Sequence, residues 1–258
     1  MSVISVVIPV YNDAEMLRRC LTALAAQSRP ADELVVVDNG STDDSAEVAR
    51  QHGARIVVEP QRGIAAASAA GFDAAHGDLL VRLDADSVAD PGWLQHIEQR
   101  FDADADLDAA TATAQFNDTT RFVGWIGRVV YLGGYFRGME LMLGHPPLFG
   151  SNLALRATAW RVMRGTFHRY SATVHDDLDL SFQVQPGMVV LYDEGMRMQI
   201  SGRPFDSAWL FAIRSWRGVA TIGLNWSGWI HRRTSIVRAQ RGGAVRAPLT
   251  RDSAALLP

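Results

Sequence analysis

Residues 79–87, LLVRLDADS, join an apolar run to a pair of aspartates one residue apart. Three earlier runs share the apolar, β-branched character of this one: Val3–Ile8, Leu34–Val37 and Arg55–Val58. Helical patterns separate the four runs, and strands that are apolar along their whole length are typical of parallel sheets covered by helices on both faces. The sequence therefore predicts an α/β fold with a mostly parallel, Rossmann-like sheet.

Polar residues follow each of the four runs. Open α/β sheets bind their ligands at the carboxyl ends of the strands, and here those ends are Pro9–Asp13, Asp38–Ser41, Glu59–Arg62 and Asp84–Asp86. Divalent cations such as Mg²⁺ and Mn²⁺ prefer carboxylate oxygen. We therefore expect a ligand crevice at this edge, with the paired aspartates placed to hold a cation and a ribose.

The spacing of Asp84 and Asp86 is weak support for a site by itself. The same spacing occurs three times between Asp102 and Asp108, which is typical of a solvated loop, and again at Asp177–Asp179. Only Asp84 and Asp86 follow a predicted buried strand. The prediction depends on that position rather than on the triplet.

The composition excludes several classes of protein. The 258 residues include one cysteine, Cys20, which excludes an internal disulfide and a cysteine-based zinc site; its leucine neighbours favour a buried thiol. A net charge of -3 argues against a nucleic-acid partner. The first residues lack the basic stretch of a signal peptide, and no run reaches the roughly 18 apolar residues of a membrane span. We expect a cytoplasmic protein.

The second half of the chain is less regular. We expect residues 1–206 to form one mixed α/β unit, followed by a helical segment and tail at 207–258. The predicted elements of the second half are strands at 109–116, 148–155, 188–192 and 196–200 and helices at 122–143 and 176–184.

Five stretches occur in an order that resembles family 2 glycosyltransferases with the GT-A fold. They are ISVVIPVYND (4–13), LVVVDNGSTDDS (34–45), RGIAAASAAGFDAAHGDLLVRLDADS (62–87), GSNLALR (150–156) and HDDLDL (175–180). The resemblance covers about residues 3–200, and it implies a nucleotide-binding half at 1–100 and an acceptor-binding half at 101–206. It implies an inverting enzyme that moves a sugar from a nucleotide-diphospho-sugar to a hydroxyl acceptor, with Mn²⁺ or Mg²⁺ as cofactor.

The resemblance also implies residue roles. Asp177 would be the catalytic base, and Asp86, with Asp84, would hold the metal. The nucleotide would contact Pro9, Tyr11, Asp13, Asp38, Asn39, Arg62, Asp84 and Ala85, while the donor sugar and acceptor would contact Gly150, Ser151, Asn152 and Asp176.

The chain departs from the family pattern in three places. Asn39 stands where a second aspartate is common, and Ser68 stands where an arginine usually faces phosphate. Arg62 or Arg82 is a candidate substitute for that arginine. A histidine that often follows the base is not evident, and Arg203 near that point could grip the diphosphate.

The chemistry of displacement at an anomeric carbon agrees with these roles. It needs a base for the acceptor proton and a Lewis acid for the leaving diphosphate. The alternative for Asp176, Asp177 and Asp179 is an acidic first turn that complements a helix dipole. Two other functions stay open: an inactive binding module with the same fold, and a nucleotidyltransferase, which the missing Gly-rich basic loop disfavours.

The segment after Ser207 mixes tryptophan with arginine between Trp209 and Arg233. This mixture suits an amphipathic helix in a membrane interface, at residues 207–233, and equally a helix packed on the domain. Membrane contact would place the protein at the inner face of the membrane and favour a lipid-linked acceptor.

Overall fold

The computed structural model describes residues 2–116, 133–201 and 208–244. Its central feature is a sheet of seven strands: β1 (Ile4–Val10), β2 (Glu33–Asp38), β3 (Arg55–Val58), β4 (Leu79–Arg82), β6 (Leu107–Thr111), β8 (Leu153–Arg156) and β9 (Val189–Tyr192). Their order in the sheet is β3-β2-β1-β4-β8-β6-β9. A smaller sheet joins β5 (Val88–Ala89), β10 (Met198–Ile200) and β7 (Gln115–Phe116).

The four strands of the first half pair in parallel, as predicted. β8 lies antiparallel to both β4 and β6, and β9 returns to a parallel pairing with β6. The mostly parallel sheet is therefore confirmed. β8 follows directly after the loop that carries Gly150 and Ser151, and it brings that loop to the end of β4.

Helices cover both faces of the sheet. The helices are α1 (Ala14–Ala25), α2 (Ser45–Gln51), α3 (Ile64–Ala74), α4 (Trp93–Ala103), α5 (Gly133–Leu143), α6 (Ala157–Met163), α7 (Asp176–Phe182) and α8 (Ala208–Ala244). Within β1, Val6 and Ile8 pack toward one apolar core with α1 and α4, whereas Val7 packs toward a second core with α3 and α6. This alternation is the period of two that a strand imposes on its side chains.

The sheet opens at the carboxyl end of β4. The pairing of β1 with β4 stops at Val7 and Arg82, while the pairing of β1 with β2 continues to Val10 and Asp38. The chain after Arg82 therefore leaves the sheet, and the residues after β1, β2 and β4 surround the opening. This is the edge at which the sequence predicted a crevice.

Two predicted strands are shorter than expected. The stretch 148–155 forms a strand only from Leu153, because a turn closes at Phe149–Asn152, where the Asn152 N–H donates to the Phe149 carbonyl at 2.9 Å. The stretch 109–116 divides between the two sheets. The helix expected at 122–143 is present from Gly133, and its earlier part lies outside the described residues.

The segment after residue 207 is helical, as α8. Of its tryptophans, Trp229 is buried while Trp216 and Trp226 are exposed. In the part of the chain that the structure describes, no helix is both long and apolar enough to cross a bilayer.

Candidate active site

A buried arginine joins the two acidic motifs. Arg82, the last residue of β4, is 2% exposed, and its Nη1 donates to Asp176 Oδ2 at 2.8 Å and to Asp177 Oδ1 at 3.1 Å. Its Nη2 donates to Asp84 Oδ1 at 3.0 Å. Asp84 and the two aspartates at the start of α7 are thus held around one guanidinium, although they lie more than ninety positions apart in sequence.

The loop before β8 closes the other side of this charged cluster, which we define as Arg82, Asp84, Asp176 and Asp177. Ser151 Oγ donates to Asp84 Oδ2 at 2.5 Å, so both Asp84 oxygens accept hydrogen bonds. A Cβ on Gly150 would lie 2.5 Å from Arg82 Cζ and closer still to Asp177 Oδ1. Gly150 is therefore required by close approach, since any side chain there would displace the arginine or the aspartate.

The cluster carries more negative than positive charge, and its pKa values reflect this. Burial and then the Asp176 charge raise the pKa of Asp177 well above its ordinary value. The pKa of Asp176 is lowered despite its burial, because Arg82 and His175 favour its charged form. Three carboxylates raise the pKa of Arg82 against the effect of burial, so the guanidinium stays charged. Adjacent aspartates thus take opposite protonation tendencies.

The paired aspartates after β4 are buried to a similar degree. Asp84 and Asp86 are half-buried, whereas Ala85 between them is buried. Burial, then the charges of Asp86 and Asp84, raise the pKa of the Cys20 thiol, so both carboxylates lie near that residue. Cys20 is buried, as expected from its neighbours.

The third acidic residue of α7 has a structural role. Asp179 is fully buried, and its carboxylate accepts hydrogen bonds from His168 N at 2.8 Å and from Asn225 Nδ2 at 2.8 Å. It anchors α7 to the preceding loop and to α8. The acidic first turn of α7 therefore does not serve the helix dipole alone. Asp176 and Asp177 pair with Arg82, and Asp179 pairs with His168 and Asn225.

Three residues lie together where the nucleotide was predicted to bind. The Arg62 guanidinium lies 3.1 Å from the centroid of the Tyr11 ring, and its Nη1 donates to the Asn39 carbonyl at 3.0 Å. Tyr11 is exposed, so this stacked pair is open to solvent. The Asn39 side chain is buried, and its Nδ2 donates to the Glu59 and Gln61 carbonyls at 2.8 Å, which holds the loop after β3.

The remaining predicted nucleotide residues border the same opening. Pro9 is buried in β1, Asp13 is half-buried just before α1, and Asp38 accepts the Ser41 N–H at 2.8 Å. Ser68 is buried within α3, where its Oγ donates to the Ile64 carbonyl.

Two predicted residues lie in surroundings that differ from those expected. Arg82 was a candidate to face phosphate, but its guanidinium is buried and paired with three carboxylates. Asn152 is fully buried; its Oδ1 accepts from Trp93 Nε1, and its Nδ2 donates to the Met196 carbonyl at 2.6 Å. Asn152 therefore holds the turn before β8. Arg203 lies outside the described residues.

A second set of possible metal ligands overlaps the cluster. His175, Asp176 and Asp177 each offer one ligand atom, and these atoms lie within 4.8 Å of one another. Neither this set nor the role of Arg82 was predicted from the sequence. The signal for Arg82 was an arginine inside an apolar strand, which is rarely buried without an acidic partner.

Comparison with known proteins gives three likenesses. The chain is 42% identical over 104 residues to an uncharacterized glycosyltransferase of Mycobacterium tuberculosis, covering 40% of this chain and 46% of that protein. It is 37% identical over 115 residues to the undecaprenyl-phosphate 4-deoxy-4-formamido-L-arabinose transferase of Klebsiella pneumoniae, covering 40% and 35%. The match thus spans less than half the length of these relatives.

The fold is shared with a solved structure. A mannosyltransferase of Pyrobaculum calidifontis, in complex with GDP-Man and Mn²⁺, superposes with a TM-score of 0.70 at 20% identity, covering 94% of this chain and 69% of that one. This likeness shows the GT-A fold.

The model of the family described as glycosyl transferase family 2 matches residues 5–160, which is more than half of the chain. The matched range contains the paired aspartates, Arg82 and the loop with Gly150. This chain belongs to glycosyl transferase family 2.

Proposed function

We propose that this glycosyltransferase moves a sugar from a nucleotide-diphospho-sugar to a hydroxyl acceptor with inversion, using a divalent metal and Asp177 as base. The observation that carries the proposal is the charged cluster, in which Arg82 joins the paired aspartates to the start of α7. A nucleotide bound across the opening would bring its diphosphate and sugar to this point. We also propose that residues 1–206 act as one catalytic unit, because one apolar core includes both Ile4 and Ile200.

Asp177 has the properties of a general base. Its pKa is raised, so its ionised form is a stronger base than an ordinary aspartate. The Gly150 N–H hydrogen-bonds to it and Arg82 holds one of its oxygens, which fixes the carboxylate in position. Asp177 would take the proton from the acceptor hydroxyl while that oxygen bonds to the anomeric carbon and displaces the diphosphate. This direct displacement would invert the configuration of the anomeric carbon.

The residues present fit a divalent metal. Three carboxylates surround one guanidinium in the cluster, and this excess of negative oxygen suits a hard cation. We assign Asp86 as first ligand with Asp84 beside it, and His175, Asp176 and Asp177 as the alternative set. When bound, the metal would supply a Lewis acid for the leaving diphosphate. Mn²⁺ accompanies GDP-Man in the Pyrobaculum relative.

For the donor we propose that Tyr11 and Arg62 contact the nucleobase and ribose. Their stacked faces are exposed at the opening, and a flat base could pack on either group. Asp13 and Asp38 are placed to accept ribose hydroxyls, and Arg203 is retained as a proposal for the diphosphate. Gly150, Ser151 and Asp176 would border the sugar.

The test uses the full chain, Mn²⁺ and a panel of UDP-, GDP- and dTDP-sugars, with release of nucleoside diphosphate as the signal. We expect release with at least one donor, and a loss of about a hundredfold in both Asp86→Ala and Asp177→Asn. Asp106→Ala is the matched control, because Asp106 belongs to a triplet of the same spacing but is exposed. Equal loss in the control, or full activity in Asp177→Asn, would reject these assignments.

An inactive binding module is the second candidate, and burial of Ser68, where the family often has arginine, keeps it open. Such a module would bind a nucleotide-sugar, seen as a rise in melting temperature, without releasing nucleoside diphosphate. The same panel therefore separates the two functions. Membership of the family removes the nucleotidyltransferase alternative.

A further inference from the structure

The last helix is attached to the domain by polar side chains. Thr221 Oγ1 accepts the His175 N–H at 2.8 Å. Asn225 Nδ2 donates to Asp179 Oδ1 at 2.8 Å, and Gln183 Nε2 donates to Asn225 Oδ1 at 3.0 Å. Thr221 and Asn225 are both buried. A helix at the surface of a globular protein usually buries apolar residues and exposes polar ones, but α8 buries these two polar residues as well as Trp229 and Ile236.

The opposite side of α8 is apolar and exposed. At about 100° per residue, Trp216, Val219, Trp226 and Ile230 fall within an arc of about 80°, and all four are exposed. We call them the Trp face. Leu141 of α5 is also exposed, and it lies close to α8 because Arg233 Nη2 donates to its carbonyl at 2.7 Å. Contiguous exposed apolar side chains of this kind mark an interaction surface.

The charge of α8 indicates what covers the Trp face. The helix contains six arginines and neither aspartate nor glutamate, although the whole chain has a net charge of -3. A second copy docked face to face would bring two such cationic helices together, and like charges at an interface are unfavourable. An anionic bilayer attracts arginine and accepts tryptophan at the level of its headgroups. We propose that the Trp face docks on an anionic lipid bilayer.

The position of α8 relates this surface to the charged cluster. Thr221 contacts His175, the residue directly before Asp176 and Asp177. A bilayer on the Trp face would therefore lie about one helix diameter, roughly 10 Å, beyond the turn that begins α7. This step rests on the proposed function: it favours an acceptor carried by a lipid, as the name of the Klebsiella relative indicates for that protein. The docking proposal itself does not require catalysis.

Vesicle flotation tests the docking directly. Full-length protein is mixed with vesicles of phosphatidylcholine alone, or of equal parts phosphatidylcholine and phosphatidylglycerol. We expect flotation with the anionic vesicles, much weaker flotation with the neutral ones, and a decrease at high salt. The double variant Trp216→Gln/Trp226→Gln should lower the bound fraction about tenfold or more, because each ring contributes buried apolar area. Its circular dichroism should match wild type, and its melting temperature should fall only slightly, because both rings are exposed although Trp226 packs on Trp229 with ring centroids 5.1 Å apart.

Two equally exposed apolar residues of α8 test whether docking depends on the Trp face or on exposed apolar residues in general. Ile230 is 49% exposed on the Trp face, and Leu224 is 50% exposed about 120° away around the helix. Ile230→Gln should reduce flotation several-fold and Leu224→Gln only slightly. Equal effects of the two, no flotation of wild type, or an unchanged double variant would overturn the proposal. So would a dimer in light scattering that the double variant converts to a monomer, because the occupant would then be a second copy. Loss of flotation with intact nucleotide-sugar turnover leaves the proposed function standing.

Discussion

The first and last residues of one short strand lie in two differently built interiors. Leu79 and Leu80 of β4 pack among apolar side chains, and Arg82, two positions later, lies among carboxylates with equally little exposure. The apolar part is built from β1, β2 and α3, where Gly71 lets the helix approach Val7 and Val37. The charged part is built around Arg82, where Gly150 allows a similarly close approach.

The difference lies in what each interior requires. Apolar packing needs volume and the correct period, and it tolerates exchange among similar residues. A buried charge needs a specific partner, because an unpaired ion inside a protein costs several kcal/mol. The apolar interior therefore supports the fold, whereas the charged interior holds reactive groups at a cost in stability. Each prediction below tests this distinction.

The largest expected effect is the loss of the central cation. Arg82→Gln would leave Asp84, Asp176 and Asp177 without their shared counterion, and we expect a loss of about 3–5 kcal/mol in the free energy of unfolding at neutral pH. Urea unfolding followed by circular dichroism measures it. Arg55→Gln is the control: Arg55 also lies on a strand and pairs with Glu33 at 2.5 Å, but it is 40% exposed, so its loss should cost at most about 1 kcal/mol. Equal losses in the two variants would contradict the idea that Arg82 neutralises the cluster.

The next largest effect on stability is expected from substitutions at two glycines. A Cβ at Gly71 would lie 2.8 Å from Val37 Cγ2 and closer to Val7, and a Cβ at Gly150 would overlap Arg82 and Asp177. We expect each of Gly71→Ala and Gly150→Ala to cost about 1–3 kcal/mol of stability through overpacking. They should differ in function.

Nucleoside diphosphate release, measured on the folded fraction, distinguishes the two glycine variants. Gly150→Ala should lower it about tenfold or more, because small displacements of a reacting group are costly to rate. Gly71→Ala should leave turnover per folded molecule nearly unchanged. If both variants kept activity, Gly150 would serve the fold alone.

The apolar interior was largely predictable from the sequence. The runs ending at Ile8, Val37, Val58 and Leu83 are strands, because each run is mostly apolar and bounded by polar residues. The third run differs from the buried strand that was expected, because β3 lies at the edge of the sheet and its residues are exposed or half-buried. Pro9 was expected to end the first strand, but β1 continues to Val10 while paired with β2. Proline is tolerated there because β4 has already left the other side of β1.

The charged interior was predicted only in part. Periodicity and spacing do not show that an arginine after β4 meets aspartates at the start of α7, since that contact depends on where β8 and α7 pack. The family resemblance placed the loop at Gly150 near the sugar, but the close approach of Gly150 to Arg82 depends on tertiary packing and could not be predicted. Asn152 is a second example. Nothing in the sequence shows that this polar loop residue is buried and accepts a hydrogen bond from Trp93.

The smallest expected effect separates two adjacent aspartates. The pKa of Asp177 is raised above its unfolded value, so its ionised form is disfavoured in the folded protein. The associated stability is present below a pH of about 4, the unfolded pKa of aspartate, and is lost as pH rises through the folded pKa. Asp177→Asn removes this penalty. We expect it to raise the free energy of unfolding by about 1–2 kcal/mol at neutral pH, which corresponds to roughly 2–8 °C in Tm, while turnover falls about a hundredfold.

Asp176→Asn is the matched control, with the opposite sign. The pKa of Asp176 is lowered by Arg82 and His175, so its charge stabilises the fold above its unfolded pKa, and that stability is lost as pH falls through the folded pKa. Asp176→Asn should therefore lower Tm at neutral pH, and the two variants should converge as the pH is reduced below about 4. Thermal unfolding from acid to neutral pH measures both. If Asp177→Asn were the less stable of the two at neutral pH, Arg82 would favour the Asp177 charge over that of Asp176, and the base would have to be reassigned.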